Sequence, residues 1–173
     1  VFVVRPETEV LAGLAIDEAG AVVRERGEAR VVDLCTGSGA IALSVALESA
    51  STEVWAVEKE ADPFALACRN RDLVAARGVH LERADATQDA TLSHLDGMVD
   101  IIVTNPPYVP LDEMPTQPEA SADPHVALYG GSPDGTEIPV RIMRRALTLL
   151  RPGGTLLMEH SPSQESLLRD RAS

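Results

Sequence analysis

Residues 30–39, RVVDLCTGSG, decide the fold of this chain. The short run at 30–34 is rich in β-branched residues and predicts a buried strand, and the glycines that follow predict a tight turn into a helix. Gly37 and Gly39 permit backbone conformations and close approaches that a side chain would prevent. A strand, a glycine-rich turn and a helix in this order are typical of the first unit of a parallel α/β sheet.

The same alternation continues along the chain. Apolar runs predict further strands over residues 53–57, 79–82, 99–104 and 155–158, and helical periodicity predicts helices over 7–26, 40–49, 62–76, 136–150 and 163–171. This order predicts an α/β, Rossmann-like and mostly parallel sheet with helices on both faces. We expect residues 1–29, a short N-terminal strand and a helix, to pack on a core domain formed by residues 30–173.

Composition narrows the possible partners and cofactors. The 173 residues carry a formal net charge of -12, whereas phosphate contacts to nucleic acid need an excess of Lys and Arg, so direct nucleic-acid binding is not expected. The two cysteines, Cys35 and Cys68, lack the spacing of a zinc site, so we expect no metal. Unpaired thiols fit a cytoplasmic location. No apolar run approaches the roughly 18 residues of a membrane span.

Polar groups follow three successive predicted strands and predict an adenosyl cofactor site. The turn contains Cys35, Thr36, Gly37, Ser38 and Gly39. Glu58 ends the second strand, where a carboxylate can accept hydrogen bonds from both ribose hydroxyls. Asp85 and Ala86 follow the third strand, where they can meet an adenine ring. Each feature also has a plainer explanation: a turn shaped by glycine alone, a solvated glutamate, and an aspartate that caps a helix.

Residues 105–108, Asn-Pro-Pro-Tyr, follow the fourth strand and form the most specific motif. Two prolines stiffen the backbone and remove N–H donors, so the carbonyl groups of Asn105 and Pro106 can face a substrate NH2 group. The Asn105 side chain offers a donor and an acceptor, which matches a planar amide or an exocyclic amine. The ring of Tyr108 can pack on the plane of that acceptor. A proline-rich turn capped by asparagine is the purely structural alternative.

Taken together, these motifs resemble those of the class I amino methyltransferases that use S-adenosyl-L-methionine. Residues 5–9 (RPETE), 127–131 (ALYGG) and 151–154 (RPGG), with Glu159 and His160, narrow the resemblance to the HemK/PrmC-type protein-(glutamine-N5) methyltransferases. That family methylates the glutamine of the Gly-Gly-Gln motif in peptide-chain release factors. The resemblance implies a release factor as the protein substrate and extends over nearly the whole chain.

The resemblance also assigns roles by position. It implies that residues 35–39, Glu58, Asp85, Ala86 and Asn105 bind the cofactor, and that Asn105, Pro106 and Tyr108 are catalytic. Asn105, Pro106, Pro107, Tyr108 and Arg5 would bind the substrate, with Arg5 and Thr8 closing over the site.

The sequence also departs from the family pattern. Cys35 stands where many members have glycine, Ala86 where some have an aromatic residue, and residues 123–125 (DPH) where a Phe-Glu-Pro-like element is common. Compared with the family, the N-terminal helical domain and the last two strands are missing, and we expect a truncated protein.

Two alternatives remain open on the sequence alone. One is a nucleic-acid adenine or cytosine amino methyltransferase, which shares the cofactor site and the Asn-Pro-Pro-Tyr motif. The other is a cofactor-binding domain without turnover. Residues 109–135, with five prolines, five acidic residues and no Lys or Arg, form a long segment beside the motif that we expect to contact a protein partner. His125 and His160 are candidate bases by residue type only.

Overall fold

The computed structural model describes residues 3–111 and 124–172. Its strands are β1 Ala29–Leu34, β2 Thr52–Glu58, β3 His80–Arg83, β4 Val99–Thr104 and β5 Leu150–Met158, and its helices are α1 Pro6–Arg26, α2 Ala40–Glu48, α3 Ala61–Leu73, α4 His125–Leu128, α5 Glu137–Leu149 and α6 Glu165–Ala172. Residues 112–123 of the acidic segment, which include Asp112, Glu113 and Glu119, lie outside the described residues, so its expected partner contact stays a prediction.

The five strands form one parallel sheet in the order β3-β2-β1-β4-β5. The predicted α/β Rossmann-like architecture is confirmed. The two central strands, β1 and β4, are almost wholly buried, which explains why their sequences are continuously apolar rather than alternating. The chain leaves β1 in one direction for β2 and β3 and then crosses back to β4 and β5. Ligands of such sheets bind at the carboxyl ends of the strands, at this reversal.

Helices cover both faces of the sheet. On one face, the buried side of α1, which includes Leu11, Ala15 and Ala19, packs with α2 against the sheet. On the other face, α5 places Ile142 and Ala146 in a second apolar cluster. Helix α1 thus packs on the core as expected, whereas the division into residues 1–29 and 30–173 stays a prediction.

Two predicted elements differ in the structure. A strand was predicted at residues 1–4, but Val3 and Val4 have no regular secondary structure. Strand β5 begins at Leu150 rather than at Thr155, because Leu150 already pairs with Val99 of β4. An irregularity over residues 151–154 follows before the pairing resumes at Thr155. Glycine permits that irregularity: a Cβ on Gly154 would lie 3.0 Å from the carbonyl oxygen of Asp100.

A buried ionic cluster stabilises the end of the sheet opposite the carboxyl ends. The Asp100 carboxylate, only 6% exposed, accepts hydrogen bonds from the Arg26 guanidinium at 2.6 Å and from the backbone N–H of Arg30 at 2.8 Å. The Arg151 guanidinium also binds it. One carboxylate therefore joins the end of α1 to β1, β4 and β5, and its burial is compensated by two cations.

Candidate functional site

A cavity of about 1300 Å³ opens at the carboxyl edge of the sheet, where the chain direction reverses. It gathers nearly all of the predicted site residues. Its lining includes Arg5, Cys35, Thr36, Gly37, Ser38, Glu58, Asp85, Ala86, Asn105, Pro106, Pro107 and Tyr108. Gly39 is the exception, since it lies behind the lining as the residue that precedes α2. Residues separated by up to a hundred positions in the sequence thus share one space.

The turn after β1 is held by a buried carboxylate. Asp33, at 0% exposure, accepts a hydrogen bond from the Thr36 hydroxyl at 2.5 Å and one from the backbone N–H of Ala42 at 3.1 Å. Its other oxygen has no hydrogen-bond partner among the residues that the structure describes. Burial raises the pKa of Asp33 from 3.8 to about 7, the nearby Glu58 adds to the rise, and these two hydrogen bonds oppose it.

The backbone of the turn takes conformations that glycine adopts without strain. Cys35 has a φ of 63°, in the left-handed region that glycine occupies without strain. Gly37 and Gly39 share that region, with φ of 59° and 86°. Burial also raises the pKa of the Cys35 thiol above its usual range, so the thiol is neutral and not a nucleophile.

Glu58 ends β2 on the cavity wall, only 8% exposed. One carboxylate oxygen accepts the backbone N–H of Gly37 at 2.9 Å and the other accepts that of Glu60 at 2.8 Å. These bonds exclude the alternative of a freely solvated glutamate. Because each carboxylate oxygen can accept a second hydrogen bond, Glu58 keeps the capacity to bind two ribose hydroxyls, and that role stays a prediction.

Asp85 has local partners in the structure. One oxygen accepts the backbone N–H of Thr87 at 2.9 Å and its hydroxyl at 2.7 Å, and the other lies 3.2 Å from the Lys59 ammonium. Burial alone would raise the pKa of Asp85, but the Thr87 and Lys59 contacts hold it below its usual range. The described residues after Asp85 form a turn and not a helix, so the helix-cap alternative is wrong. Asp85 lies on the cavity wall, and contact with adenine stays a prediction. Ala86, beside it, is 3% exposed.

The Asn-Pro-Pro-Tyr segment meets residues from both ends of the chain. The Asn105 side-chain NH2 donates to the Thr8 hydroxyl at 3.2 Å, and that hydroxyl donates to Glu159 at 3.1 Å. The Tyr108 hydroxyl donates to the other oxygen of Glu159, also at 3.1 Å. Burial raises the pKa of Tyr108 to about 12, and burial also raises the pKa of Glu159. The hydroxyl of Tyr108 is therefore engaged inside the protein, and ring packing on an acceptor stays a prediction.

The same segment is held from behind. The side-chain NH2 of Gln164, a residue only 3% exposed, donates to the carbonyl oxygens of Tyr108 at 2.7 Å and Asp134 at 2.8 Å. Gly135, with a φ of 71°, lies so close that a Cβ there would be 2.2 Å from the Tyr108 carbonyl oxygen. Contacts on this side leave the opposite side of the segment to face the cavity.

Some site residues are not identified by sequence motifs alone. Glu159 belongs to the motifs that carry the resemblance, but nothing near it in the sequence indicates its bond to Tyr108, 51 positions away. Gln164 forms a local capping box with Ser161, which gives no sign of its bond to Tyr108, 56 positions away. His160 lines the cavity, and its Nδ1 lies 2.8 Å from the Ser161 carbonyl oxygen. His125 lies outside the cavity lining. Over residues 3–111 and 124–172 no group of acidic, His or Cys side chains could hold a metal ion.

The family model of the methyltransferase small domain matches residues 9–117, more than half of the chain. The chain belongs to this family. Its sequence is 50% identical over 173 residues to a release factor glutamine methyltransferase of Bifidobacterium longum (strain NCC 2705), covering 95% of this chain and 58% of that protein. It is 45% identical over 166 residues to the protein of the same name from Streptomyces coelicolor, covering 95% of this chain and 56% of that one.

This member of the methyltransferase small domain family spans little more than half the length of the curated relatives that it matches. The names of these two relatives confirm the resemblance to glutamine methyltransferases that the sequence motifs indicate. A crystal structure of a predicted O-methyltransferase from Agrobacterium tumefaciens shares the fold, with a TM-score of 0.65, 21% identity, and coverage of 94% of this chain and 65% of that chain. No helix among the described residues has the length and apolar character to cross a membrane.

Proposed function

We propose that this methyltransferase domain transfers a methyl group from S-adenosyl-L-methionine to the side-chain amide nitrogen of a glutamine in a protein. The glutamine of the Gly-Gly-Gln motif in peptide-chain release factors is the proposed acceptor. The observation that carries the proposal is Asn105, an amide aligned by Thr8 in the wall of the same cavity that contains Glu58. The printed names of the two relatives support the choice of acceptor.

The described residues fit the proposed cofactor. Glu58 is buried and anchored, with a hydrogen-bond capacity that suits two ribose hydroxyls. Residues 35–38 expose polar backbone groups to the cavity, and Asp85 and Ala86 line the part of it that we propose for the adenine ring. When bound, the cofactor supplies an electrophilic methyl carbon on a positively charged sulfur. The cavity, at about 1300 Å³, has room for this group and for a side chain of the acceptor.

The acceptor half of the cavity suits a weak nucleophile. The lone pair of an amide nitrogen is delocalised, so the enzyme must position and polarise the NH2 group rather than only bring it near. The Asn105 side-chain carbonyl and the Pro106 backbone carbonyl can each accept one of its N–H groups. This pairing increases electron density on the nitrogen and holds it in one orientation. The proton that leaves after transfer passes to water in this proposal.

The charge of the cavity favours a protein acceptor over the alternative of a nucleic-acid base. Among the described lining residues, seven are carboxylates: Glu7, Glu58, Glu60, Asp62, Asp85, Glu137 and Glu159. Three are cations: Arg5, Lys59 and Arg141. A phosphate backbone would meet unfavourable charge at this opening, whereas an uncharged glutamine on a basic protein would not.

Radiolabelled methyl transfer tests the proposal directly. The protein is incubated with labelled S-adenosylmethionine and one of three acceptors: a release factor, the same factor with alanine in place of the motif glutamine, or adenine- and cytosine-containing DNA. We expect label only on the unaltered release factor. Label on DNA would support the nucleic-acid alternative, and cofactor binding without label in any arm would support a binding domain.

Two substitutions test the proposed acceptor site and the proposed cofactor site separately. Asn105→Ala should lower turnover by at least 100-fold, because the acceptor amide loses its positioning partner, and cofactor affinity should fall much less. Glu58→Ala should weaken cofactor binding about 10- to 100-fold through loss of charge-assisted hydrogen bonds. Glu48→Ala, at an exposed glutamate on α2, is the matched control. Unchanged cofactor affinity in Glu58→Ala would remove that residue from the site.

A further inference from the structure

Four side chains from three parts of the chain form a continuous series of hydrogen bonds beside the cavity. Thr8 comes from the first turn of α1, Asn105 and Tyr108 follow β4, and Glu159 follows β5. The bonds run from Asn105 to Thr8, from Thr8 to Glu159 and from Tyr108 to Glu159, at 3.2, 3.1 and 3.1 Å. We call these four residues the Glu159 network.

The chemistry of the Glu159 network fixes the direction of every bond. Ionised carboxylate oxygens only accept hydrogen bonds, so Glu159 needs a donor on each oxygen. With a pKa of about 12, Tyr108 keeps its proton at neutral pH and supplies one donor. The Thr8 hydroxyl supplies the other with its single proton. Because that proton is used, Thr8 can only accept from Asn105, and what it accepts is an N–H group.

This direction determines which end of the Asn105 amide faces the substrate. Asparagine side chains have two ends of nearly equal size, NH2 and C=O, and rotation about the last torsion exchanges them. In the Glu159 network the NH2 end is held by Thr8. Over residues 3–111 and 124–172, no protein donor binds the Oδ1 of Asn105, which leaves that carbonyl oxygen for the cavity.

We propose that Thr8 and Glu159 are positioning residues that hold the Asn105 amide with its carbonyl oxygen toward the acceptor nitrogen. This inference rests on the proposed function, because it explains how the protein selects an acceptor that donates N–H groups. If the Asn105 amide were reversed, its NH2 group would face the NH2 group of the acceptor. Both groups are donors, so the acceptor would lose its hydrogen bond to Asn105. Glu159, which follows the neighbouring strand β5, thereby acts on the reacting group through the Thr8 hydroxyl and through its own contact with the Asn105 side chain.

The opposing explanation is that the network only attaches α1 to the sheet, and the chain offers a matched control for it. The Thr155 hydroxyl donates to Glu18 at 2.8 Å, so this pair also joins α1 to β5 through a threonine and a glutamate. Neither Thr155 nor Glu18 lines the cavity. Thr155→Val therefore removes a similar attachment without touching Asn105.

Steady-state kinetics on the release factor separate the two explanations. Thr8→Val should lower kcat at least 10-fold while the KM for the release factor and the Kd for the cofactor change less than threefold. Thr8→Ser, which keeps the hydroxyl, should recover most of the loss. Glu159→Gln should also lower kcat, since its amide offers one acceptor where two are needed. Thr155→Val should keep wild-type kcat. Equal kcat in Thr8→Val and Thr155→Val would overturn the inference.

A spectroscopic measurement tests the inference even if the release factor is not the acceptor. The side-chain NH2 protons of Asn105 can be observed by nitrogen-15 NMR in the cofactor-bound protein. Their exchange with solvent should be slow in the wild type, Thr8→Ser and Thr155→Val, and at least 10-fold faster in Thr8→Val and Glu159→Gln. Exchange at one rate in all five proteins would refute the network. Slow exchange without methylation of the release factor would instead refute the proposed function alone.

Discussion

Asp33 gives the clearest quantitative prediction, because its carboxyl group is wholly buried with one oxygen unpartnered. Burial raises its pKa to about 7 in the folded protein, against 3.8 in an exposed reference. The folded state therefore binds a proton more tightly than the unfolded chain does, and the resulting stability is fully present below pH 3.8. It is lost as the pH rises through 7.

The size of the effect follows from these two pKa values. Each pKa unit corresponds to about 1.4 kcal/mol, so the titration of Asp33 changes the free energy of unfolding by about 4 kcal/mol in total. About 3 kcal/mol of this change falls between about pH 4.5 and about pH 7.5. Asp33→Asn removes the titration while keeping an acceptor for Thr36 and Ala42. The free energy of unfolding of the wild type should therefore fall by about 3 kcal/mol relative to Asp33→Asn across that range.

Urea denaturation at several pH values measures this difference, because titrations shared by both proteins cancel. Asp17→Asn, at an exposed aspartate on α1, is the control and should follow the wild type at every pH. A difference between wild type and Asp33→Asn that stays constant within about 0.5 kcal/mol would refute the reasoning. If the variant does not fold, a carbon-13 titration of the Asp33 carboxyl in the wild type should show a midpoint near the predicted value of about 7.

Three further substitutions test the packing around the site. Gly135→Ala places a Cβ 2.2 Å from the Tyr108 carbonyl oxygen at a φ of 71°, so it should lower stability by about 2–3 kcal/mol and reduce methyl transfer more than cofactor binding; an unchanged melting temperature would contradict this. Arg145→Met removes a guanidinium only 2% exposed that binds the Thr91 carbonyl, and should lower stability by about 1–3 kcal/mol in urea. Asp100→Ala removes the buried partner of two partly exposed arginines and should lower stability by about 1–3 kcal/mol in urea; an unchanged denaturation midpoint would contradict this.

The strands, and the cavity wall formed by the residues that follow β1 and β2, could be predicted because their signals are local. A buried parallel strand must be continuously apolar, and a turn with φ near 60° to 90° must contain glycine or tolerate strain, as at Gly37, Gly39 and Cys35. Glu58 was identified from its position at the tip of an apolar strand. These features depend on a few neighbouring residues, so they are visible before the chain is folded.

The cavity wall formed by residues 105–108 could be predicted only in part, because its contacts are long-range. Asn105 was identified by its motif, but its hydrogen bond to Thr8 spans 97 positions and the bond from Tyr108 to Glu159 spans 51. The start of β5 was placed late for a related reason. Arg151 and the glycines after it have the composition of a turn, yet Leu150 before them pairs with β4 and Arg151 forms an ion pair with Asp100, so the strand begins ahead of this irregular segment.

Gln164 has a consequence for redesign of the acceptor specificity. Both protons of its side-chain amide are used, one on the segment after β4 and one on the segment before α5, and its oxygen accepts the backbone N–H of Ser161. Gln164 thereby connects three segments that are separated in the sequence, so the conformation of each segment depends on the other two. Libraries that randomise residues 105–108 alone would keep selecting the original loop shape. Recombination between homologous genes should instead exchange residues 105–111, 129–136 and 159–164 together as one block.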